Sequence, residues 1–295
     1  MIKKTICPIC RKDMECFQNA NFDLKKLDSY AFASRKNPEY MHYELYECKD
    51  CNYLMAIDTL KLSELASKYR SADFDSELEA DYASKTYFKY LKNKCPDFPK
   101  GKVMDIGTGE GSYLKYLYLE GCKEIVGVEP SSAPISFADN LIKECIVNDV
   151  FRVEDYAAND FDMISLFQTI EHIPNPEQLC NDIHSLLKKE GIFYVVCHDY
   201  RSYVNRLLRT KSPIYDIEHL QLFSSKSIYR LLKKCNYSDI NLFTIKNKYP
   251  LKYWIRLFPF PSGLKKILLK SAEKRKWGSI EIGINVGNIG IIARK

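Results

Sequence analysis

"KVMDIGTGEGSYLKYLYLEG", Lys102 to Gly121, decides the fold. "KVMDI" is a short apolar run that reads as a buried strand. Gly107, Gly109 and Gly111 follow it. Apolar positions then recur at helical spacing as far as Gly121, which stands where a helix stops. A strand, a glycine-rich turn and a helix open a nucleotide-binding α/β fold. In the dinucleotide fingerprint GxGxxG, the helix N-terminus receives a pyrophosphate. Here the spacing is GxGxG, and Ser112 stands where the third glycine would fall. Asp105 precedes the first glycine. A carboxylate there repels a pyrophosphate and attracts a cationic ammonium or sulfonium ligand.

The pattern continues downstream. "EIVGVEP" is a second strand ending in Glu129, placed to bond ribose hydroxyls. Ser131 and Pro134 open a helix. "CIVNDV" reads as a third strand with Asp149 at its end, and "FDMISLFQTIEHI" supplies a fourth. "NPEQLCNDIHSLLKKEG" predicts a helix capped by Asn175, with Pro176 in its first turn and Gly191 at its end. "GIFYVVC" is a fifth strand leading to His198 and Asp199.

"DIGTGEG", "GVEP", "NDV", "FDMISLFQTIEHIPNP" and "GIFYVV" together resemble the class I S-adenosylmethionine-dependent methyltransferases, closely over Val103 to Cys197. The resemblance implies an α/β, Rossmann-like seven-stranded sheet with one antiparallel edge strand. Asp239–Ile245 would be the sixth strand and Val286–Arg294 the last. It also implies an adenosylmethionine site. Asp105 and the loop of Gly107, Thr108, Gly109 and Gly111 would lie against the methionine part. Glu129 would hold the ribose, and Asp149 and Val150 would lie near the adenine. Phe167 and Gln168 would border the transferred methyl. Glu171 and His172 look like a catalytic pair, but the family carries that pair whatever the acceptor, which suggests an orienting role.

The N-terminus reads "CPIC" at Cys7–Cys10 and "CKDC" at Cys48–Cys51. Two such turns can converge four thiolates into the tetrahedral site that zinc prefers, with no position left open for water. A structural zinc ribbon over residues 1–59 is expected. Residues 60–98 follow as a helical linker that breaks at "CPDFPKG", and the methyltransferase-like domain occupies 99–295. Eleven cysteines, an odd number with most scattered singly, fit a reducing compartment. "MIKKTICPIC" has no apolar stretch behind its lysines, and no run of 18 apolar residues occurs. A cytoplasmic location is therefore expected.

The net charge is +6. Lys246 to Glu281 holds ten Lys or Arg against two Glu, so the basic character belongs to that late segment. Two readings stand for it. It is a helical lid with its lysines outward, or an interfacial surface for anionic lipid or a diphosphate-linked substrate. The oligomeric state is not legible.

Methyl transfer needs a base only when the acceptor must lose a proton. "IYDIEHLQLFSS", Ile214 to Ser225, offers Glu218 and His219 beside Asp216, and His198 ends the fifth strand. The zinc-ribbon start and this segment resemble sugar C-methyltransferases and other bacterial small-molecule methyltransferases. That resemblance implies a small-molecule or glycan-precursor acceptor, with Glu218 and His219 as the base. The alternative is an RNA methyltransferase using the zinc module to bind RNA. The cysteine module carries no basic cluster with interleaved aromatics, which argues against nucleic acid. A non-catalytic binding module is opposed by the intact cofactor motif.

Overall fold

The structure, a computed structural model, describes residues 5–21, 40–71, 74, 77–258, 260–275 and 277–295. Parts of the expected ribbon (1–4 and 22–39), of the 60–94 helical stretch and Lys276 of the basic segment lie outside these residues.

Four short strands come first: β1 (Thr5–Ile6), β2 (Asp13–Gln18), β3 (Glu44–Cys48) and β4 (Tyr53–Ile57). Helices α1 (Leu62–Arg70) and α2 (Glu77–Lys94) lead into β5 (Lys102–Ile106), α3 (Ser112–Leu119), β6 (Glu124–Val128), α4 (Ser132–Ser136) and β7 (Ile146–Val147). Next come β8 (Phe161–Phe167), α5 (Pro176–Leu186), β9 (Leu187–His198), α6 (Tyr203–Leu208), β10 (Gln221–Leu222) and α7 (Ser225–Lys234). The chain ends with β11 (Ser238–Pro250), α8 (Leu251–Leu257), α9 (Ser262–Lys274) and β12 (Glu281–Arg294).

Seven strands form one sheet in the order β11-β12-β9-β8-β5-β6-β7. Strands β5 to β9 pair in parallel, while β12 is antiparallel to both β9 and β11. The sheet has the expected number of strands, but its antiparallel strand is not at the edge. β12 is inserted between β9 and β11, because the chain returns from β11 through α8 and α9 and fills the gap. A second difference concerns α5, which stops at Leu186 rather than at Gly191. Leu187 turns extended and pairs with Phe161, and the register slips before Ile192 meets Met163. Burying Leu187 beside the sheet outweighs the helix propensity of the lysines that follow.

Alternate residues of the central strands face two cores. Met104, Ile164, Phe193 and Val195 face one side, and Val103, Met163, Ile192 and Tyr194 the other. Tyr87 and Leu91 of α2 cover the second face. The first face is continuous with the cysteine module, whose Cys7, Tyr46 and Tyr53 share its core. The module is also joined edge to edge. β10 pairs with β4 through Gln221↔Met55 and Leu222↔Leu54, making a five-stranded sheet β1-β2-β3-β4-β10. Arg230 Nη1 donates to Asp50 Oδ2 at 2.6 Å and Lys234 Nζ to the Pro8 carbonyl at 2.8 Å, tying α7 to both CxxC turns.

Candidate active site

The C-terminal ends of β5, β6, β8 and β9 open into one cleft of about 1020 Å³, where ligands of open α/β sheets bind. That is the top of the range, about 300–1,000 Å³, for pockets holding a drug-sized ligand. Its floor begins at Asp105. The carboxyl is buried and accepts from Ser165 Oγ at 2.6 Å, and burial pushes its pKa up to about 7. The glycine loop then turns away from it. Gly107 has φ +74°, and a Cβ there would stand 2.4 Å from Thr169 Oγ1, so only glycine fits. Gly109, at φ +58°, faces open space. Thr108 lines the cleft with them, and its buried hydroxyl faces the Asp105 carboxyl. Gly111 sits deeper, capping α3, where a Cβ would strike Ile142 at 2.5 Å.

Glu129 holds the loop. One carboxylate oxygen accepts from the Gly109 N–H at 3.0 Å and the other from the Ser131 N–H at 2.9 Å. Each oxygen retains a lone pair. Val150, Phe167 and Gln168 line the cleft as well. Gln168 carries φ +50°, and both of its buried amide atoms lack partners. Asp149, expected near the adenine beside Val150, is not among the residues that line the cleft. Its carboxylate is committed to Arg70 at 2.8 Å and Arg152 at 2.9 Å, which hold it down to about 2. Val150 therefore presents the surface there.

At the other end stands a cluster of histidines. His219 is buried, with its ring 4.9 Å from that of His172 and 5.3 Å from that of His198. His219 Nδ1 lies 2.8 Å from the Ile214 carbonyl, so it is the protonated nitrogen, and Nε2 carries the lone pair. Glu218 approaches that Nε2 at 3.9 Å and His172 Nδ1 at 4.0 Å. Burial holds His219 well below the ordinary histidine range, so it is neutral near pH 7. His198 bonds Asn288 Oδ1 at 2.9 Å and is pushed down to about 4 by burial. Glu171 is fully buried. It accepts from the His198 backbone N–H at 2.7 Å, and its pKa rises to about 7 through burial. It supports the strand end that carries His198.

Three contributors carry no motif. Tyr69 of α1 reaches His172 Nδ1 at 3.1 Å, and Tyr87 of α2 lines the cleft from the helix ahead of β5. Asn247 sits at a register slip in β11, which turns its buried side chain into the cleft with Oδ1 unpartnered. A helical run or a strand edge shows no local sign of such roles.

Charge is the cleft's plainest chemistry. Seven carboxylates line it against one guanidinium, Arg152, and that one is paired with Asp149 and Asp155. The lining suits a cation and repels a phosphate.

The four cysteines converge as well. Cys7 and Cys51 sulfurs lie 3.6 Å apart, and Cys10 and Cys48 sulfurs 3.3 Å. A disulfide needs about 2.05 Å. A tetrahedral zinc with bonds of about 2.3 Å spaces its sulfurs at about 3.8 Å. The donor set and spacing fit a four-thiolate metal site.

Residues 75–242, more than half of the chain, match the family model described as "Methyltransferase domain". The chain belongs to that family. Similar curated proteins include the ubiquinone biosynthesis O-methyltransferase of Actinobacillus pleuropneumoniae serotype 7 (strain AP76), 25% identical over 130 residues, 41% of this chain and 53% of that protein. Its namesake from Coxiella burnetii (strain Dugway 5J108-111) is 27% identical over 113 residues, 36% of this chain and 48% of that one. The chain thus spans about half the length of the curated relatives it matches. A SAM dependent methyltransferase from Archaeoglobus fulgidus superposes with TM-score 0.50 at 17% identity, covering 80% of this chain and 100% of that one. Phosphoethanolamine N-methyltransferase 2 of Haemonchus contortus, solved in complex with S-adenosyl-L-methionine, gives 0.51 at 15%, covering 82% and 61%. At such identities these superpositions speak for the methyltransferase fold alone.

Proposed function

We propose that this methyltransferase transfers the methyl of S-adenosylmethionine to a hydroxyl or an acidic carbon of a neutral, sugar-like small molecule or glycan precursor. The observation that carries the reading is the cleft itself. Carboxylates suited to a cationic cofactor stand at one end, and a neutral histidine with an inward lone pair stands at the other.

Bound adenosylmethionine supplies a methyl already activated on its sulfonium. Asp105 attracts the positive charge of the methionine part, and Glu129 accepts from the ribose hydroxyls. Gly109, with open space before it, lets the backbone approach closely. Asp105, Gly107, Thr108, Glu129, Val150, Phe167 and Gln168 make up the cofactor-side lining in this reading. Gly111 shapes the loop from behind, and Asp149 anchors its edge through arginines. His219 Nε2 takes the acceptor's proton, and the nearby Glu218 carboxylate stabilises the imidazolium that forms. His198 and Asn247 orient the acceptor from β9 and β11.

The four cysteines hold a structural zinc, which would fix strand β4 against β10, two residues past His219. An anionic carrier on the acceptor would stay outside the acidic cleft. Helix α9 offers it a surface, exposing Leu264 and Ile267 among Lys265, Lys266 and Lys270. The same face suits an anionic membrane. Among the described residues, no helix is long and apolar enough to cross one. Co-sedimentation should favour anionic over zwitterionic liposomes, and equal partition removes the membrane contact. Calorimetry should give one adenosylmethionine per chain, and no heat of binding overturns the cofactor reading.

A further inference from the structure

We infer that His172, Glu218 and His219 form a binding site for a borderline divalent cation of the Zn2+ class, and that an ion there withholds the His219 lone pair from the acceptor. The binding half stands on geometry alone. The consequence for catalysis rests on the functional reading above.

One ligand atom from each of the three side chains falls within 4.8 Å of the others. Both nitrogens face the same carboxylate, at 3.9 and 4.0 Å from its two oxygens. An ion with bonds of about 2.0–2.2 Å spaces its ligands at roughly 3.4 Å in a tetrahedron. Closing each nitrogen–carboxylate gap takes about half an ångström, and the widest pair of the three, within 4.8 Å, closes by at most about 1.4 Å through side-chain rotation.

The surroundings are built as ligating histidines need. His219 donates its other ring nitrogen to the Ile214 carbonyl, the outer contact that fixes the tautomer and orientation of a metal-bound imidazole. His172 comes from the turn after β8, and Glu218 and His219 from the loop before β10. The two segments are joined by Leu220 N–H donating to the Glu171 carbonyl at 2.9 Å. The two segments are thus in place before any ion arrives, but His172 Nδ1 also lies 3.1 Å from the Glu218 carbonyl and must turn from it to bind the ion. Tyr69 Oη, 3.1 Å from His172 Nδ1, stands where an ion would approach that ring. It also lies 3.4 Å from the Glu218 carbonyl, which can accept its hydrogen bond when the ion enters. Two histidines and one carboxylate leave a fourth position for water. All three side chains line the cleft, so that position opens on the acceptor. The His219 Nε2 lone pair cannot bind an ion and take a proton together. Ion and acceptor proton compete, with no change of oxidation state.

The test counts ions. Full-length protein dialysed against micromolar Zn2+ should retain one ion per chain more than His219→Gln and Glu218→Gln variants treated alike. Equal counts in all three overturn the inference. Adenosylmethionine calorimetry on each variant checks folding, and Glu218→Gln carries the test if His219→Gln does not fold. Methyl transfer by the wild type should fall over the Zn2+ range in which the extra ion binds. Activation over that range would overturn both the consequence drawn here and the base role of His219, while the ion count stood. An absence of adenosylmethionine binding would sink the functional reading and leave the count unaffected.

Discussion

Lowering the pH from 8 to 6 should weaken adenosylmethionine binding about tenfold, through Asp105. The carboxyl is 3% exposed, and burial raises its pKa to about 7, offset in part by the Ser165 and Thr108 hydroxyls. A cationic ligand selects the ionised form. About nine-tenths of a group with pKa 7 is ionised at pH 8 and about one-tenth at pH 6, a difference worth about 1.4 kcal/mol in binding. Affinity should therefore rise with pH through 7, and binding at pH 7 should release protons, seen as a buffer-dependent calorimetric heat. Asp105→Asn should bind weakly and with a flat pH profile over this range. The sign for stability is opposite. The folded pKa lies above the unfolded one, so the fold holds its proton more tightly, and ionisation erodes stability as pH rises from about 4 to 7. The empty Asp105→Asn protein should accordingly melt higher than wild type at pH 8. A wild-type affinity that is flat between pH 6 and 8, or a slope that survives in Asp105→Asn, refutes the assignment of Asp105 to a cationic ligand.

Three further outcomes follow from the geometry. Glu129→Ala removes an acceptor shared by two backbone N–H groups and the proposed ribose contact. Charge-assisted hydrogen bonds contribute about 1.5–3 kcal/mol each, so adenosylmethionine affinity should fall on the order of 10–100-fold; an unchanged Kd counts against the ribose role. His219→Gln should lower kcat on the order of 10²–10⁴-fold with cofactor affinity intact, and turnover at the wild-type rate excludes it as the base. Cys48→Ser, or stripping the metal with a chelator, should loosen β4 and with it β10. Turnover should then fall more than cofactor affinity does, and an unchanged thermal midpoint would show that the cysteines hold no structural ion.

What could be read from the chain was local. The strand, glycine turn and helix at Lys102–Gly121 are adjacent in sequence, and positive φ at three glycines answers to their spacing. The two CxxC turns were legible for the same reason. Relations between distant segments were not. The place of β12 depends on which neighbour the last strand meets, and its own residues do not record that. β10 is two residues long, too short for any alternation, yet it joins the cysteine module to the histidine end of the cleft. Asn247 enters the cleft because a register slip turns it inward, and Asp149 leaves it because Arg70, from α1, reaches over. Glu218 and His219 were visible as a charged pair in an apolar stretch. The Ile214 carbonyl that orients His219, and the third partner His172, came only with the fold.

The most direct test is transfer of label from methyl-labelled adenosylmethionine into a fractionated cell extract by the purified protein. The account predicts label in a small-molecule or lipid-extractable fraction, dependent on His219. Label in RNA, or none in any fraction under conditions where the cofactor binds, would contradict it.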